Sequence, residues 1–413
     1  HGRAVSTPVE KLLEAYRHLQ YFYRAVCAIT MRSLKPFIAG FSSCIRQKSV
    51  VLLACRTLTS GEAMSSTLPS TPLSLARFKG CLVGALMGDC LGAPFETDET
   101  VSRSVLADYL ATMNEPAQQK RLPYKKYTDD TAMTFALCRS LLEENGLNIP
   151  SLAKHFAEEF ITDHRRGYGQ AASFLLARIA NEELWNSNAE DDILAPARDQ
   201  FDGQGSFGNG AAMRAAPIGL FHATDPVDAL IKSARCQSLI THSHGLAIIG
   251  AVLQAAAVQV ALNANNSIET TSFVEALKAV VAKVEDVSDD HKRVYIKKLD
   301  NVLKYLAKKS IDSEQFLDDL GNNISAHGSV PTAIYAFLKA LKPLPEFETP
   351  SGVLRTIFIA IRLGGDTDTI ASMAGAIAGA YYGQPNIPAE LAKHCESVDV
   401  AEDFGAKLYA RIG

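Results

Sequence analysis

The chain has 413 residues, 47% hydrophobic and 21% charged, with 41 Lys/Arg against 45 Asp/Glu and a net charge of −4, the composition of a globular protein with ample material for a large core in one or two domains. Residues 1–60 hold nine Lys/Arg and two Glu, so the remainder carries −11, and bulk electrostatics exclude it as a nucleic-acid binder. The eight cysteines are scattered without a C-x-x-C pair or zinc spacing, and H-E-x-x-H, G-x-S-x-G and Walker patterns are missing, which removes the commoner hydrolase and nucleotide templates.

In chain order, residues 1–64 form an N-terminal extension. From Met31 to residue 60 it is rich in Arg, Lys and Ser with no acid before Glu62, the composition of a mitochondrial transit peptide. Residues 1–30 are expected to precede a start at Met31 or Met64 and stand outside the fold argument. The expected locations are the mitochondrial matrix and, through initiation at Met64 or inefficient import, nucleus and cytoplasm. A polar linker, residues 65–74, leads to a folded domain over 75–413.

That domain reads as all-α, because Ala, Leu and Lys dominate and alternating β-branched runs are scarce. Its first helix, LARFKGCLVGALMGDCLG, repeats glycine every fourth residue (Gly80, Gly84, Gly88, Gly92), a face that lets another helix come close. Gly92 and Pro94 should stop it and leave Glu96 on a loop, whereas Asp89, an acid inside an apolar helix, needs a partner and looks the better functional candidate from sequence alone. The run GLAIIGAVLQAAAVQVAL, residues 245–262, approaches membrane-spanning length, but its glutamines and alanines predict a buried core helix. Residues 284–320 are richly charged and predict an exposed peripheral helix.

Two stretches place doubled acids at the mouth of an apolar helix: YTDDTAMTFALC, with Thr128, Asp129 and Asp130, and RLGGDTDTIASMAGAIAGAYYG, with Asp366, Asp368 and Thr369. One Asp per helix would be an ordinary N-cap; two raise each other's cost unless a cation intervenes. Carboxylates and hydroxyls at two helix mouths suit hard divalent ions such as Mg²⁺. Two glycine-rich stretches, HRRGYGQAA and GQGSFGNGAAMR, offer exposed backbone N–H groups to an anion or a base edge, although glycine before a helix is commonly only a turn.

Together, FKGCLVGALMGDCLG, YTDDTAM, GSFGNGAAMR, THS, SVPTAIYAF and LGGDTDTIASMAGAIAGAYYG resemble the ADP-ribosylhydrolase family, all-α magnesium enzymes related to dinitrogenase reductase-activating glycohydrolase. The resemblance covers residues 75–412 and points to the vertebrate branch that removes ADP-ribose from serine and degrades poly(ADP-ribose). It implies a compact orthogonal helix bundle with two Mg²⁺ ions in a central cleft, held by Thr128, Asp129, Asp130, Asp366, Asp368 and Thr369. It makes Glu96 the catalytic acid/base in place of Asp89. It sets Phe201 and Phe207 around the adenine, with Ser206, Gly208, Asn209 and His242 near the ligand, and Gly167, Tyr168 and Gly169 at the diphosphate. For His242, a buried side chain that merely satisfies backbone groups is the open alternative. The implied substrates are serine-linked ADP-ribosylated proteins, poly(ADP-ribose) and O-acetyl-ADP-ribose, acted on by a monomer without nucleic acid or membrane. The rivals are an ADP-ribosylarginine hydrolase and a catalytically silent ADP-ribose-binding or crystallin-like protein.

Overall fold

The computed structural model describes residues 73–412 except 97–99, 114, 116–117, 119, 188, 266 and 309–311. The N-terminal extension, its transit peptide and linker residues 65–72 lie outside the described residues. The longer helices are α1 Leu75–Gly92, α2 Arg103–Thr112, α3 Asp129–Glu143, α4 Ile149–Thr162, α5 Gln170–Asn181, α6 Glu190–Arg198, α7 Val227–Leu239, α8 Gly245–Asn263, α9 Thr270–Lys283, α10 Asp289–Ala307, α11 Ala326–Ala340, α12 Gly352–Arg362, α13 Thr367–Tyr382 and α14 Val398–Ala410. Short helical turns at Gly210–Met213, Ala216–Phe221, Ser313–Asp319 and Ala389–Ala392 join them. Among the described residues there is no strand, only isolated bridges such as Gly208 with Ser325, so the all-α expectation holds.

Ser74 caps α1, its Oγ accepting from the Ala76 amide at 3.2 Å. The glycine face of α1 meets a matching stripe on α13, formed by Ala371, Gly375 and Gly379. A Cβ on Gly84 would lie 2.3 Å from the Gly375 carbonyl oxygen, one on Gly88 2.1 Å from that of Ala371, and one on Gly379 1.9 Å from that of Gly80. Backbone touches backbone, and no side chain fits between. The seam ends with Gly92 against Thr367 and Asp368, where the Thr367 hydroxyl donates to the Gly92 carbonyl at 2.9 Å. It therefore delivers the acid-bearing mouth of α13 to the C-terminal end of α1, next to Asp89 and Glu96.

Helix α8 is long and apolar enough to cross a bilayer, yet 78% of that span is buried inside the fold, against α7, α11 and α13. Its Gln254 is accommodated by donating to the Met373 carbonyl at 3.0 Å. Helix α10 lies at the periphery, as its charge pattern predicts. It buries Tyr295, Leu299, Val302 and Tyr305 on one face and turns Asp289, Asp290, Lys297, Asp300 and Lys304 outward.

Candidate active site

The two acidic helix mouths meet. Thr128 caps α3, its Oγ1 accepting from the Asp130 amide at 3.3 Å. The same helix start is also capped from outside, because Asp89 of α1 accepts from the Thr128 amide at 3.0 Å, the Thr131 amide at 3.2 Å and the Thr131 hydroxyl at 2.5 Å. Asp89 is fully buried and saturated, so its mid-helix position has a structural explanation.

With that capping supplied, the paired acids are spared. Asp130 Oδ2 accepts from Thr128 Oγ1 at 3.3 Å and, across the helix boundary, from Thr369 Oγ1 of α13 at 3.2 Å. Its Oδ1 is buried with no partner. Asp366 stands at the N-cap of α13 without a side-chain capping bond; its Oδ2 instead accepts from Asn209 Nδ2 at 2.5 Å. Asp368 Oδ1 accepts from the Thr369 amide at 2.8 Å. Glu96, on the turn after α1, joins them: Glu96, Asp366 and Asp368 each present an oxygen within 4.8 Å of the others.

Burial first, and then Asp368, raises Asp129, Asp130 and Glu96 above the usual carboxylate range. Burial followed by Asp366 does the same to Asp368. Among the described residues no Lys or Arg forms an ion pair with any of these acids. A hard oxygen donor set, an unpartnered buried Asp130 oxygen and mutually destabilised carboxylates fit a divalent hard cation.

The loop before α5 closes one side. The Asp129 amide donates to the Arg166 carbonyl at 2.7 Å, and the Arg166 guanidinium is fixed by Glu396 at 2.7 and 3.1 Å and by the Tyr127 carbonyl at 2.9 Å. Gly167 follows with φ +92°, a left-handed conformation, and the space beside its Cα faces Asp129 Oδ1. Gly169 has open space around it and caps α5 without a side chain, leaving first-turn N–H groups free. The Tyr168 ring is buried edge-on against Phe160 at 5.1 Å, so the loop presents its backbone to the site.

The rim is aromatic. Phe201 and Phe207 are 48% and 50% exposed, and Phe201 and Asp202 are both held left-handed at φ 53° and 58°. Phe207 accepts at its carbonyl from the Ala326 amide at 3.0 Å, the Asn209 amide donates to the Ile324 carbonyl at 2.9 Å, and the Gly208 amide to Ser206 Oγ at 3.2 Å. Asn209 thus links rim to floor, its side chain reaching both Asp366 and Ser329 Oγ. His242 lies beneath Gly208 and Gly210 rather than among the acids. Arg214 Nη2 donates to Thr241 Oγ1 at 2.8 Å, and that hydroxyl is hydrogen-bonded in turn to His242 Nδ1 at 2.7 Å. Burial, then Arg214, pushes His242 down to about 3, so it is neutral.

Two residues escaped the sequence reading. Ile324 is 71% exposed beside the Phe207 loop, where its exposure has no sequence signature. Arg214, the last residue of GNGAAMR, is fully buried and holds the Gly210 carbonyl at 2.9 Å and Gln237 at 2.8 Å, so it shapes the glycine loop from below.

A family model described as ADP-ribosylglycohydrolase matches residues 70–413. The chain is 40% identical to an ADP-ribosylhydrolase ARH3 of Xenopus tropicalis, covering 81% of this chain and 95% of that protein, and 39% identical to ADP-ribosylhydrolase ARH3 of Homo sapiens, covering 81% and 93%. A solved structure, "ADP-ribosylglycohydrolase-related protein complex", superposes with a TM-score of 0.58 over 82% of this chain and 98% of that one; at 21% identity this likeness concerns the fold.

Proposed function

The chain belongs to the ADP-ribosylglycohydrolase family and is a hydrolase of the glycosidase type, and from that premise we propose that it cleaves the O-glycosidic bond joining ADP-ribose to protein serine and the ribose–ribose bonds of poly(ADP-ribose), and that it removes the acetyl group of O-acetyl-ADP-ribose. The observation that carries this reading is the meeting of two doubled-acid helix mouths, with the exposed Glu96 at the edge of their buried carboxylates. Departure of an alcohol from an anomeric carbon passes through an oxocarbenium-like state, which calls for leaving-group protonation and a positioned water. Glu96, at the edge of the cluster, donates and takes that proton.

Asp129, Asp130, Asp366 and Asp368, with Thr128 and Thr369, would hold two Mg²⁺ ions, which supply positive charge to the ribose hydroxyls and the attacking water. Phe201 and Phe207 stack the adenine, Ser206, Gly208 and Asn209 line it, and the Gly167–Tyr168–Gly169 backbone meets the diphosphate. His242, neutral, supports the Gly208–Gly210 loop from beneath. The protein acts as a monomer on ADP-ribosylated proteins, in the mitochondrial matrix through residues 31–60 and in nucleus and cytoplasm. The full set of acids favours catalysis over a silent binding protein.

The test gives the purified protein serine-linked, arginine-linked and polymeric ADP-ribose, with Mg²⁺ or with chelator. Release from serine and polymer that chelator abolishes is expected. Release from arginine alone would replace the leaving group with a guanidinium nitrogen.

A further inference from the structure

Phe207 has neighbours for which the proposed reaction has no use. Its ring meets His244 edge-on at 5.7 Å and His327 at 6.1 Å, and His244 lies 4.7 Å from His291. Each imidazole stands at the start of a different long helix: His244 is the cap of α8, His291 lies in the first turn of α10 and His327 in the first turn of α11. Three positive helix ends therefore converge with three imidazoles. Lys298 stands nearby, its Nζ donating to the Leu320 carbonyl at 2.8 Å. Burial, and then Lys298, His244 and His291, push His327 down to about 4, so near neutral pH it is an uncharged ring that donates through N–H. The nearest acids in sequence, Asp289 and Asp290 of α10, are exposed, and Asp290 is paired with Arg293.

The orientation of the rings is set by what they pack on. The Leu246 amide donates to His244 Nδ1 at 3.1 Å, which puts that ring's proton on Nε2. Nδ1 of His291 and of His327 is buried without a partner, so Nε2 is the reachable nitrogen on those rings as well. A single cation does not suit this spacing: among the described residues the group of three ligand atoms within 4.8 Å of one another is Glu96, Asp366 and Asp368, not the imidazoles. A polyoxygen anion spans wider gaps, since each oxygen takes its own donor.

We propose that His244, His291 and His327 form a phosphate subsite at the outer edge of the Phe207 shelf, which takes a phosphate of the neighbouring unit when a polymer of ADP-ribose lies across it. The proposal rests on Phe207 being the adenine shelf. It makes the histidines specificity determinants for chain over single unit, without a part in bond cleavage.

Two arms on the full-length protein decide it. In the first, inorganic phosphate is titrated into metal-free protein while the Cε1–H resonances of the three histidines are followed. Saturable shifts of all three are expected, and their absence overturns the subsite whatever the enzyme hydrolyses. In the second, the triple variant H244N/H291Q/H327Q, in which Asn keeps an N-cap acceptor, is compared with wild type on polymer and on a serine-linked single ADP-ribose. The expected result is a loss of about tenfold in kcat/KM on polymer, carried by KM, with the single unit within about twofold. Equal losses on both substrates overturn the chain assignment. Phosphate shifts without any loss on polymer assign the site to free phosphate and overturn it too. Should the triple variant fail to fold, His327→Gln alone must show a smaller loss of the same selectivity, and an unselective loss there counts against the proposal.

Discussion

The floor of the site and its rim are built in opposite ways. The floor sets carboxylates together on two helix mouths, that of α13 placed by backbone contact with α1 and that of α3 by the hydrogen bonds of Asp89, with Asp130, Asp366 and Asp368 each 5% exposed or less. The rim leaves Phe201, Phe207 and Ile324 open to solvent, three of the six large hydrophobic side chains exposed among the described residues. Like charges resist being gathered, so their placement is tied to a seam in which backbone touches backbone. A stacking face is useful only while a ligand can reach it. Chemistry and recognition are therefore separable, and substitutions should divide them.

The largest separation is expected at Glu96. Glu96→Gln should lower kcat by roughly 10²- to 10⁴-fold while ADP-ribose binding, read by calorimetry, stays within about tenfold. Asp89→Asn is its counterpart and should reduce thermal stability first; a folded but inactive Asp89→Asn with a normal Glu96→Gln would reverse the assignment.

Asp368→Asn should cut hydrolysis by on the order of 10²- to 10³-fold and weaken Mg²⁺ binding in the same titration, since an amide is a poorer ligand for a hard cation. An unchanged Mg²⁺ isotherm would break the reading of the floor as a metal site.

At the rim, Phe207→Ala should raise the dissociation constant of ADP-ribose by about 10-fold through lost stacking, roughly 1–3 kcal/mol, with little change in kcat. Phe207→Tyr should stay close to wild type. A fall in kcat with unchanged affinity would erase the distinction between rim and floor.

The smallest effect sharpens the comparison from beneath. Gly375→Ala places a methyl 2.2 Å from the Gly84 carbonyl oxygen, so the seam must part, at about 1–3 kcal/mol of stability. Tm and kcat should drop together, because the seam positions Asp368. An equal drop in Tm from Phe207→Ala would show that the rim is structural after all.

Much of the floor was legible because doubled acids before an apolar helix break a local rule, and a broken local rule is visible in one stretch of sequence. The glycine face of α1 was legible for the same reason. Asp89 misled, since its partners, Thr128 and Thr131, come from another helix some forty residues on, and sequence shows the need of a partner without showing who meets it. Ile324, Arg214 and the three histidines were not legible at all. They matter through neighbours brought in by the packing of α7, α8, α10 and α11, and each would be unremarkable in its own segment. Glu96 became prominent only by resemblance; the structure adds its reason, proximity to Asp366 and Asp368.

The amide of Asn209 holds one further implication. It is the donor that restrains Asp366, and it is carried two residues from Phe207 on the same short loop, itself stitched to Ile324 and Ala326. The loop is in effect a ruler with the Phe207 ring at one end and a carboxylate at the other. Because one short stretch of backbone carries both, the distance between the Phe207 ring and Asp366 is fixed, and that span sets the length of ligand that the site can read as its own.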